Sequence, residues 1–372
     1  MPGFNFSVVT RLPPRSFCFA FPFMPKTTLA IALSGGVDSA VAASLLLEAG
    51  YVLKAFFMEL PLPSAAEKAA QAETIAKALA ISFTRIDLRQ EFSTQIIAYF
   101  TRSYRLGLTP NPCMLCNQQI KFGLLAQAMQ QSGVDRVATG HYVRLIQTSN
   151  GPMLARGADS NKDQSYFLAR LSQAQLGKSI FPLGTWRKSE VRQRAQELGL
   201  PLPPHESQDV CFLDQGLVSF LAAQGFTDST GDIISTAGKR LGVHHGIWRY
   251  TIGQRRGLGL PDSSPWYVVA IDAKANQLIV GKENELFQQS CPVHHLHWVA
   301  GPPPLPWQGT IQLRSQHRGA EGELRMNDPH TAMLHFSSPQ RAITPGQFAV
   351  FYQDDQVLGS AVIGQLPAPM PE

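Results

Sequence analysis

The chain has 372 residues, 44% hydrophobic and 16% charged, so it is long enough for two or three domain cores and too apolar to be disordered. A net charge of +5 permits a polyanionic partner, and no apolar run approaches the ~20 residues of a membrane-spanning helix, so no membrane partner is expected. The five cysteines are an odd number spread along the chain, which favours a reducing, cytoplasmic location over a disulfide framework.

Residues 1–23 differ from the rest of the chain. They are rich in Phe and Pro, contain Arg11 and Arg15 without an acidic residue, and lack the cleavage site of a signal peptide. Met24 stands directly before the first predicted strand. We therefore expect translation to start at Met24, with 1–23 as a disordered or untranslated extension.

Strand and helix patterns alternate after Met24. A short apolar run predicts a buried strand over 27–33, and the turn S-G-G-V-D-S at 34–39 leads into a helix that ends at Gly50. Further strands are predicted over 51–57, 81–88 and 134–139, further helices over 67–80, 91–105 and 117–131, and a proline-broken loop over 107–116. Such alternation predicts an α/β fold with a parallel, Rossmann-like sheet covered by helices.

Long helix patterns become scarce after residue 215. Strand-like runs with turn signals follow, including one over 245–253, and Gly and Pro turns continue to the end of the chain. We therefore expect three domains, namely an α/β catalytic domain (24–215), a small mostly-β central domain (216–295) and a C-terminal β-barrel (296–372).

The S-G-G-V-D-S turn has the properties of a phosphate-binding loop. Gly35 and Gly36 allow the backbone to approach a phosphate, and the amides and dipole of a helix N-terminus favour its charge. The turn lacks the lysine of a G-x-x-x-x-G-K-[ST] loop and the G-x-G-x-x-G spacing. An ordinary glycine-containing turn is the alternative. Asp38 would repel a bare phosphate, so we expect it to share Mg²⁺ with the phosphates.

This turn resembles the PP-loop of the ATP pyrophosphatases. That family cleaves ATP between the α- and β-phosphates and adenylates an oxygen of its substrate, so the resemblance implies that ATP binds here. Met58 ends the second predicted strand, at the sheet edge where nucleotides bind in open α/β folds. It is therefore either an adenine contact or a packing residue.

The stretch N-P-C-M-L-C-N at 111–117 spaces Cys113 and Cys116 as C-x-x-C. A structural zinc site would need two more ligands, and the run C-P-V-H-H-L-H at 291–297 reads better as a surface histidine cluster. Cys116 precedes the helix predicted from Asn117, a position that lowers a thiol pKa, so we expect it to be more reactive than Cys113. Cys211 is either a buried apolar residue or a second functional thiol.

Nine motifs occur in this order: S-G-G-V-D-S, T-P-N-P-C-M-L-C-N-Q-Q-I-K-F-G, A-T-G-H-Y, D-S-N-K-D-Q-S-Y-F-L, E-S-Q-D-V-C-F-L, T-I-G-Q-R-R-G-L-G-L, P-W-Y-V-V, L-H-W-V and T-P-G-Q-F-A-V-F-Y. Each is moderately specific, and nine in order are very specific. Over about residues 26–365 the chain resembles the tRNA-specific 2-thiouridylase (MnmA) family. That family adenylates the C2 oxygen of wobble uridine 34 in the tRNAs for Lys, Glu and Gln, and then replaces this oxygen with persulfide sulfur.

The resemblance assigns roles to two cysteines. It implies that Cys116 is the catalytic nucleophile and that Cys211 carries the persulfide. The position of Cys113 can hold Asp in the family, so its thiol is expected to be dispensable. The residues expected against the target base are Asn111, Pro112 and Cys113.

The resemblance also implies binding residues and partners. ATP is expected at Ala32, Leu33, Ser34, Gly35, Gly36, Val37, Asp38, Ser39, Met58 and Gly140. The expected tRNA contacts are His141, Lys162, Asp163, Gln164, Gln316, His317 and Gln347. ATP with substrate-associated Mg²⁺ is implied, without structural zinc or an iron–sulfur cluster. The expected sulfur donor is a cysteine desulfurase or a sulfur-relay carrier.

Three alternatives remain open from the sequence. An ammonia-using ligase such as GMP synthetase would share the loop but would not need paired cysteines. A non-enzymatic RNA-binding protein would not need an intact loop and two placed thiols. A 2-thiocytidine or 4-thiouridine enzyme would carry other cysteine patterns. Whether Cys116 and Cys211 lie close together without tRNA is also open.

Overall fold

The computed structural model of the protein describes residues 27–149, 151–200, 210–261 and 263–365. The predicted extension 1–23, the predicted start at Met24 and the polar residues directly before Val210 lie outside these ranges. No helix within the described ranges is long and apolar enough to cross a membrane.

The described elements follow one another along the chain. The strands are β1 (Thr28–Ala32), β2 (Val52–Glu59), β3 (Ser82–Asp87), β4 (Val137–Ala138), β5 (Val143–Thr148), β6 (Gly151–Arg156), β7 (Ser179–Ile180), β8 (Gly231–Ser235), β9 (Arg240–His244), β10 (Tyr267–Asp272), β11 (Gln277–Gly281), β12 (Phe287–Trp298), β13 (Trp307–Gln312), β14 (Ala320–Met326), β15 (Thr331–Arg341), β16 (Phe348–Gln353) and β17 (Gln356–Ile363). The helices are α1 (Val37–Glu48), α2 (Ala65–Ala78), α3 (Arg89–Phe92), α4 (Ala98–Arg105), α5 (Pro112–Leu115), α6 (Ala126–Gln131), α7 (Ser165–Leu168), α8 (Gln173–Gly177), α9 (Lys188–Glu197) and α10 (Leu217–Ala223). The π-helical stretches Ser93–Ile97 and Cys116–Leu125 join α3 to α4 and α5 to α6.

The first part of the chain forms a five-stranded parallel sheet in the order β3-β2-β1-β4-β7. The predicted parallel α/β sheet is therefore confirmed. The chain moves outward from β1 through β2 to β3, and then returns to add β4 on the other side of β1. This reversal of strand order opens a crevice at the carboxyl end of β1, where open α/β sheets bind ligands.

The central region contains a four-stranded sheet in the order β10-β11-β8-β9. Its core includes Val268, Leu278 and Val280, which are fully buried. The strand predicted over 245–253 is wrong, because Ile247–Arg249 forms a 3₁₀ turn instead. Gly246 enters that turn at φ +135°, a conformation that strands do not use.

The last part of the chain is a closed antiparallel barrel of six strands. They follow the order β12-β15-β14-β13-β16-β17, and β17 pairs again with β12. The predicted C-terminal barrel is thereby confirmed. β12 begins at Phe287 and crosses the predicted domain boundary at 295–296. The β5–β6 hairpin, which lies between strands of the parallel sheet in sequence, extends the barrel sheet through a pairing of β6 with β17.

Candidate active site

The S-G-G-V-D-S loop follows β1 directly and occupies the crevice beside that strand. Gly35 has φ +84°, and a Cβ at this residue would lie 2.9 Å from the carbonyl oxygen of Lys68, so a side chain is excluded twice. Ser39 Oγ donates to the carbonyl of Gly36 at 3.0 Å and accepts from the amide of Ser34 at 3.2 Å. No side chain caps the N-terminus of α1. The first-turn amides therefore remain for an anionic ligand.

Gly140 packs against this loop from the end of β4. A Cβ at Gly140 would lie 2.8 Å from the carbonyl carbon of Asp38 and 2.9 Å from the amide nitrogen of Ser39. Only glycine permits this approach. The structure thus brings together the A-T-G-H-Y and S-G-G-V-D-S motifs, which lie about a hundred residues apart in sequence.

Lys188 reaches the same loop and was missed by the sequence reasoning. Its ammonium donates to Oδ1 of Asp38 at 2.7 Å, and the hydroxyl of Tyr142 donates to the same oxygen at 2.6 Å. The Lys188 side chain is only 7% exposed. Lys188 is the first residue of α9, where a cation opposes the helix dipole. That unfavourable placement was the available signal for a functional lysine.

Asp38 is suited to a Mg²⁺ that arrives with ATP. Its side chain is 36% exposed and is the only carboxylate within the loop. Within the described ranges, no group of three or more His, Cys, Asp or Glu residues is placed to hold a metal. One carboxylate with several phosphate oxygens is the usual mode for Mg²⁺ bound with a nucleotide.

The helix that carries the C-x-x-C cysteines begins earlier than predicted. Asn111 is extended, and Pro112 is the first residue of α5. Proline is tolerated there because its missing N–H would be unpaired in any residue at that position. Cys113 therefore lies in the helix rather than in a loop. Cys116 lies one turn inside it, at the start of the π-helical stretch.

The expected lowering of the Cys116 pKa is wrong. Cys116 is not at a helix N-terminus, and burial raises the pKa of its thiol to about 12. Burial also raises the pKa of Cys113 to about 11 and that of Cys211 in the same direction. In this structure all three groups are therefore protonated near neutral pH.

Cys116 and Cys211 lie in the same apolar cluster although 94 residues separate them in sequence. Phe212 anchors Cys211 there, with its ring centroid 5.1 Å from that of Phe100 and 5.8 Å from that of Phe92. The charge of the Cys211 thiolate raises the pKa of Cys116. The four described cysteines, at 113, 116, 211 and 291, are free thiols.

Two lysines approach this thiol cluster. The charge of Lys121 lowers the pKa of Cys113, Cys116 and Cys211 against the effect of burial. The charge of Lys68 acts on Cys211 in the same direction, and the carbonyl of Lys68 also lies beside Gly35 in the phosphate loop. Ala32, at the end of β1 before the phosphate loop, packs against the same apolar cluster as Cys116 and Cys211.

The residues predicted to contact the target base lie next to these thiols. Asn111 is buried and bonds through its side chain to the Tyr166 hydroxyl, which in turn donates to the carbonyl of Phe348 at 3.0 Å. Pro112 is buried behind it and Cys113 is partly exposed. This end of the helix is therefore fixed by contacts with the barrel.

The predicted tRNA contacts fall into two groups. The exposed side chains are those of Lys162 and Gln316, and the side chains bonded inside the protein are those of His141, Asp163, Gln164, His317 and Gln347. Asp163 accepts from the amides of Gly157 and Ser165 at 2.9 and 3.0 Å. Gln164 accepts from the Tyr142 amide at 2.9 Å. The five side chains of the second group are therefore held in place by hydrogen bonds within the protein.

His141 packs against two aromatic rings. Its ring centroid is 5.8 Å from that of Phe122 and 6.4 Å from that of Phe181, and its Nδ1 bonds to the Thr139 hydroxyl at 2.8 Å. Burial, aided by the charge of Lys121, holds the pKa of His141 well below 6.5. His141 is therefore neutral at physiological pH.

The loop 107–110 before α5 is held by both β domains. The Thr109 amide donates to the carbonyl of Pro345 at 3.0 Å, and the Thr109 carbonyl accepts from the side chain of Gln347 at 2.8 Å. The Thr109 hydroxyl donates to that of Thr251, in the central region, at 3.3 Å. Three parts of the chain therefore meet directly before the cysteine-bearing helix.

Family models and related proteins match most of the chain. Residues 27–215 match a family model described as "tRNA methyl transferase HUP domain", 219–282 a "tRNA methyl transferase PRC-barrel domain" and 288–363 an "Aminomethyltransferase beta-barrel domain". The tRNA-specific 2-thiouridylase MnmA of Desulfotalea psychrophila is 45% identical over 91% of this chain and 100% of its own length. The enzymes of that name from Syntrophotalea carbinolica and Chloroflexus aurantiacus are 42% and 41% identical over 90% of this chain, covering 97% and 98% of their own lengths.

Proposed function

The chain belongs to the tRNA-specific 2-thiouridylase family and is a tRNA sulfurtransferase, and from this premise we propose its substrate and mechanism. We propose that it uses ATP to replace the C2 oxygen of wobble uridine 34 with sulfur in the tRNAs for Lys, Glu and Gln. One observation carries the mechanism: two free thiols far apart in sequence share an apolar cluster with Ala32, at the end of the strand that leads into the phosphate loop.

The first step is activation of the base by ATP. The C2 oxygen of the uracil attacks the α-phosphorus, a phosphorus–oxygen bond forms, and pyrophosphate leaves as the uracil loses its N3 proton. The first-turn amides of α1 bind the phosphates. Mg²⁺ held with Asp38 supplies charge neutralisation when bound. Lys188, already paired with Asp38, provides the cation that the loop sequence itself lacks.

The second step is sulfur transfer. The terminal sulfur of a persulfide anion on Cys211 attacks C2, a carbon–sulfur bond forms, and AMP leaves with the former C2 oxygen. The Cys116 thiolate then attacks Sγ of Cys211 and forms a disulfide with it, which releases the outer sulfur on the base as 2-thiouridine. A thiol reductant supplies two electrons to restore both cysteines for the next turnover.

The base must leave the anticodon stack to be reached, as for other enzymes that act on bases. Asn111, Pro112 and Cys113 are the proposed contacts of the extruded uracil. Their rigid placement against Tyr166 and the barrel supports this role, because a reacting atom must be held within a fraction of an ångström. Among the proposed tRNA contacts, Lys162 and Gln316 are exposed to solvent.

The proposed setting is the cytoplasm, where thiols stay reduced and tRNA is present. The persulfide sulfur comes from a cysteine desulfurase or from a relay of small carriers.

The function is tested with unmodified tRNA, ATP, Mg²⁺ and a cysteine desulfurase with its substrate. Mass analysis of nucleosides is expected to find 2-thiouridine at position 34, with one AMP released per modified tRNA. A product of 4-thiouridine or 2-thiocytidine would assign a different thiolation, and an amidated product would assign a ligase. Absence of any thionucleoside with a competent donor would overturn the proposal.

Cysteine variants test the mechanism separately. Cys116→Ser and Cys211→Ser are each expected to abolish 2-thiouridine formation, whereas Cys113→Ser keeps substantial activity and serves as the matched control. Both inactive variants should still release pyrophosphate from ATP in the presence of tRNA, because activation precedes sulfur transfer. Full thiolation by Cys211→Ser would refute its role as the persulfide carrier.

A further inference from the structure

The thiol cluster has a charge problem that the proposed mechanism leaves unsolved. Sulfur attacks as an anion, yet burial raises the pKa of Cys116 to about 12 and that of Cys113 to about 11. At neutral pH a thiol with such a pKa is ionised in fewer than about one molecule in ten thousand. A cation beside the sulfur atoms therefore favours the anion that sulfur transfer needs.

The helix geometry places a lysine beside these thiols. Residues Cys116–Leu125 are π-helical, so the backbone repeats with i to i+5 hydrogen bonds and Lys121 lies one π-turn after Cys116, on the same side of the helix. An α-helix would turn residue 121 away, because its neighbours on one face are three and four residues apart. The π-helical stretch is therefore what directs Lys121 toward the cysteines.

The charge of Lys121 acts on three sulfur atoms. It lowers the pKa of Cys113, Cys116 and Cys211, and it also lowers that of His141. Lys121 is partly buried, and within the described ranges no carboxylate forms an ion pair with it.

The other charged and titratable groups around the cluster cannot substitute for Lys121. His141 is held neutral, so it does not supply a positive charge. Lys68 acts on Cys211, where the carboxylate of Asp214 opposes it. Among the described residues, Lys121 is thus the cation whose charge acts on both Cys116 and Cys211.

We propose that Lys121 is a catalytic residue whose ammonium group stabilises the anionic sulfur at Cys211 and Cys116 during transfer. This inference rests on the proposed function for its role in turnover. Negative charge lies first on the persulfide of Cys211, then on the Cys116 thiolate, and finally on the released 2-thiouracil. A single cation adjacent to both cysteines stabilises each of these anions through its charge. Lys121 forms no covalent bond in the reaction.

Peptide-resolved alkylation is the direct test. The protein is treated with iodoacetamide from pH 7 to 10, and modified Cys116 and Cys211 are quantified by mass spectrometry. Lys121→Met is expected to slow alkylation of both residues at least about tenfold at a given pH, because a nearby opposite charge shifts a pKa by about 1–3 units. Lys121→Arg should restore most of the rate. Lys77→Met, at a 76% exposed position on α2, is the matched control and should behave as wild type.

Turnover assays of the same variants test the role of Lys121 separately from the proposed tRNA thiolation. Lys121→Met is expected to keep ATP-dependent pyrophosphate release and to lose at least about tenfold in sulfur transfer in single-turnover assays. An unchanged alkylation profile in folded Lys121→Met, or a loss of tRNA affinity alone, would overturn the role assigned to Lys121. A shifted profile in a protein that thiolates no tRNA, even as wild type, would leave the role of Lys121 standing and overturn the proposed function.

Discussion

Replacing Gly140 with alanine should displace the phosphate loop, because Gly140 packs directly against the backbone of Asp38 and Ser39. The added Cβ would lie 2.8 Å from the carbonyl carbon and 3.0 Å from the carbonyl oxygen of Asp38, and 2.9 Å from the amide nitrogen of Ser39. Ordinary van der Waals contact for a Cβ begins near 3.4 Å. The end of β4 and the first turn of α1 must therefore separate by about half an ångström. Both neighbours are backbone, so no rotamer change can relieve the contact.

The magnitude follows from this overlap. Overpacking of a well-packed site costs about 1–3 kcal/mol, so the free energy of unfolding should fall by that amount. The same displacement moves the amides that bind phosphate. An amide bond to a charged oxygen contributes about 1.5–3 kcal/mol, and weakening one by about 1.4 kcal/mol lowers ATP affinity about tenfold.

Urea denaturation and calorimetric titration with Mg²⁺-ATP measure the two effects on one preparation. Gly177→Ala is the matched control, because a Cβ at Gly177 would meet nothing within 4 Å. It should leave ATP affinity unchanged and leave stability equal or up to about 1 kcal/mol higher. If Gly140→Ala binds ATP and unfolds like the wild type, the packing argument for this glycine is wrong.

Three further predictions concern the same site. Gly36→Ala should change the free energy of unfolding by less than about 1 kcal/mol, since the nearest atom to its Cβ would be Ser34 Oγ at 3.6 Å. It should nevertheless weaken ATP binding about tenfold in calorimetric titration, because the methyl group would stand where the phosphate is proposed to bind. Lys188→Met should slow ATP-dependent pyrophosphate release at least about tenfold, because it removes the cation held by Asp38; an unchanged rate would exclude this role. The depressed pKa of His141 means that the unfolded chain gains a proton below pH 6.5 while the folded chain does not. The free energy of unfolding should therefore fall by up to about 1.4 kcal/mol per pH unit below that point, and urea denaturation should show a shallower decline for His141→Asn.

The parallel sheet was predictable because its signals are local. β1 is buried at every interior position, and a strand buried on both faces reads as a continuous apolar run. The glycine pair at 35–36 follows directly, so the loop and its place at the sheet edge could be predicted together. The barrel was predicted as a class, but the addition of the β5–β6 hairpin to it was not. A pairing between β6 and β17 joins residues about two hundred positions apart, and no local pattern encodes it.

The environment of Cys116 was mispredicted for an identifiable reason. The two prolines of T-P-N-P predict a break in the helix, whereas Pro112 occupies the first helical position, where proline is favoured. Because the helix starts five residues earlier than predicted, Cys116 lies inside it, in the same buried cluster as Phe212. Burial then raises the pKa of Cys116, opposite to the expected direction. A shift of about one turn in the helix boundary thus reverses the expected pKa shift of the proposed nucleophile, Cys116.

Lys188 and Thr109 show why the complete site exceeds the sum of its motifs. Lys188 lies in none of the nine motifs and Thr109 begins one of them, yet each makes its contacts with residues more than a hundred positions away. The backbone of Thr109 is satisfied by Pro345 and Gln347 of the barrel, so the segment that leads into the Cys116 helix depends on a domain that supplies none of the reacting groups. A buried amide and carbonyl left without partners would each cost about 1–3 kcal/mol. The barrel therefore helps to position the proposed nucleophile in addition to any contact it makes with RNA. For this reason we assign the T-P-G-Q motif to the proposed active site, although it lies far from the phosphate loop in sequence.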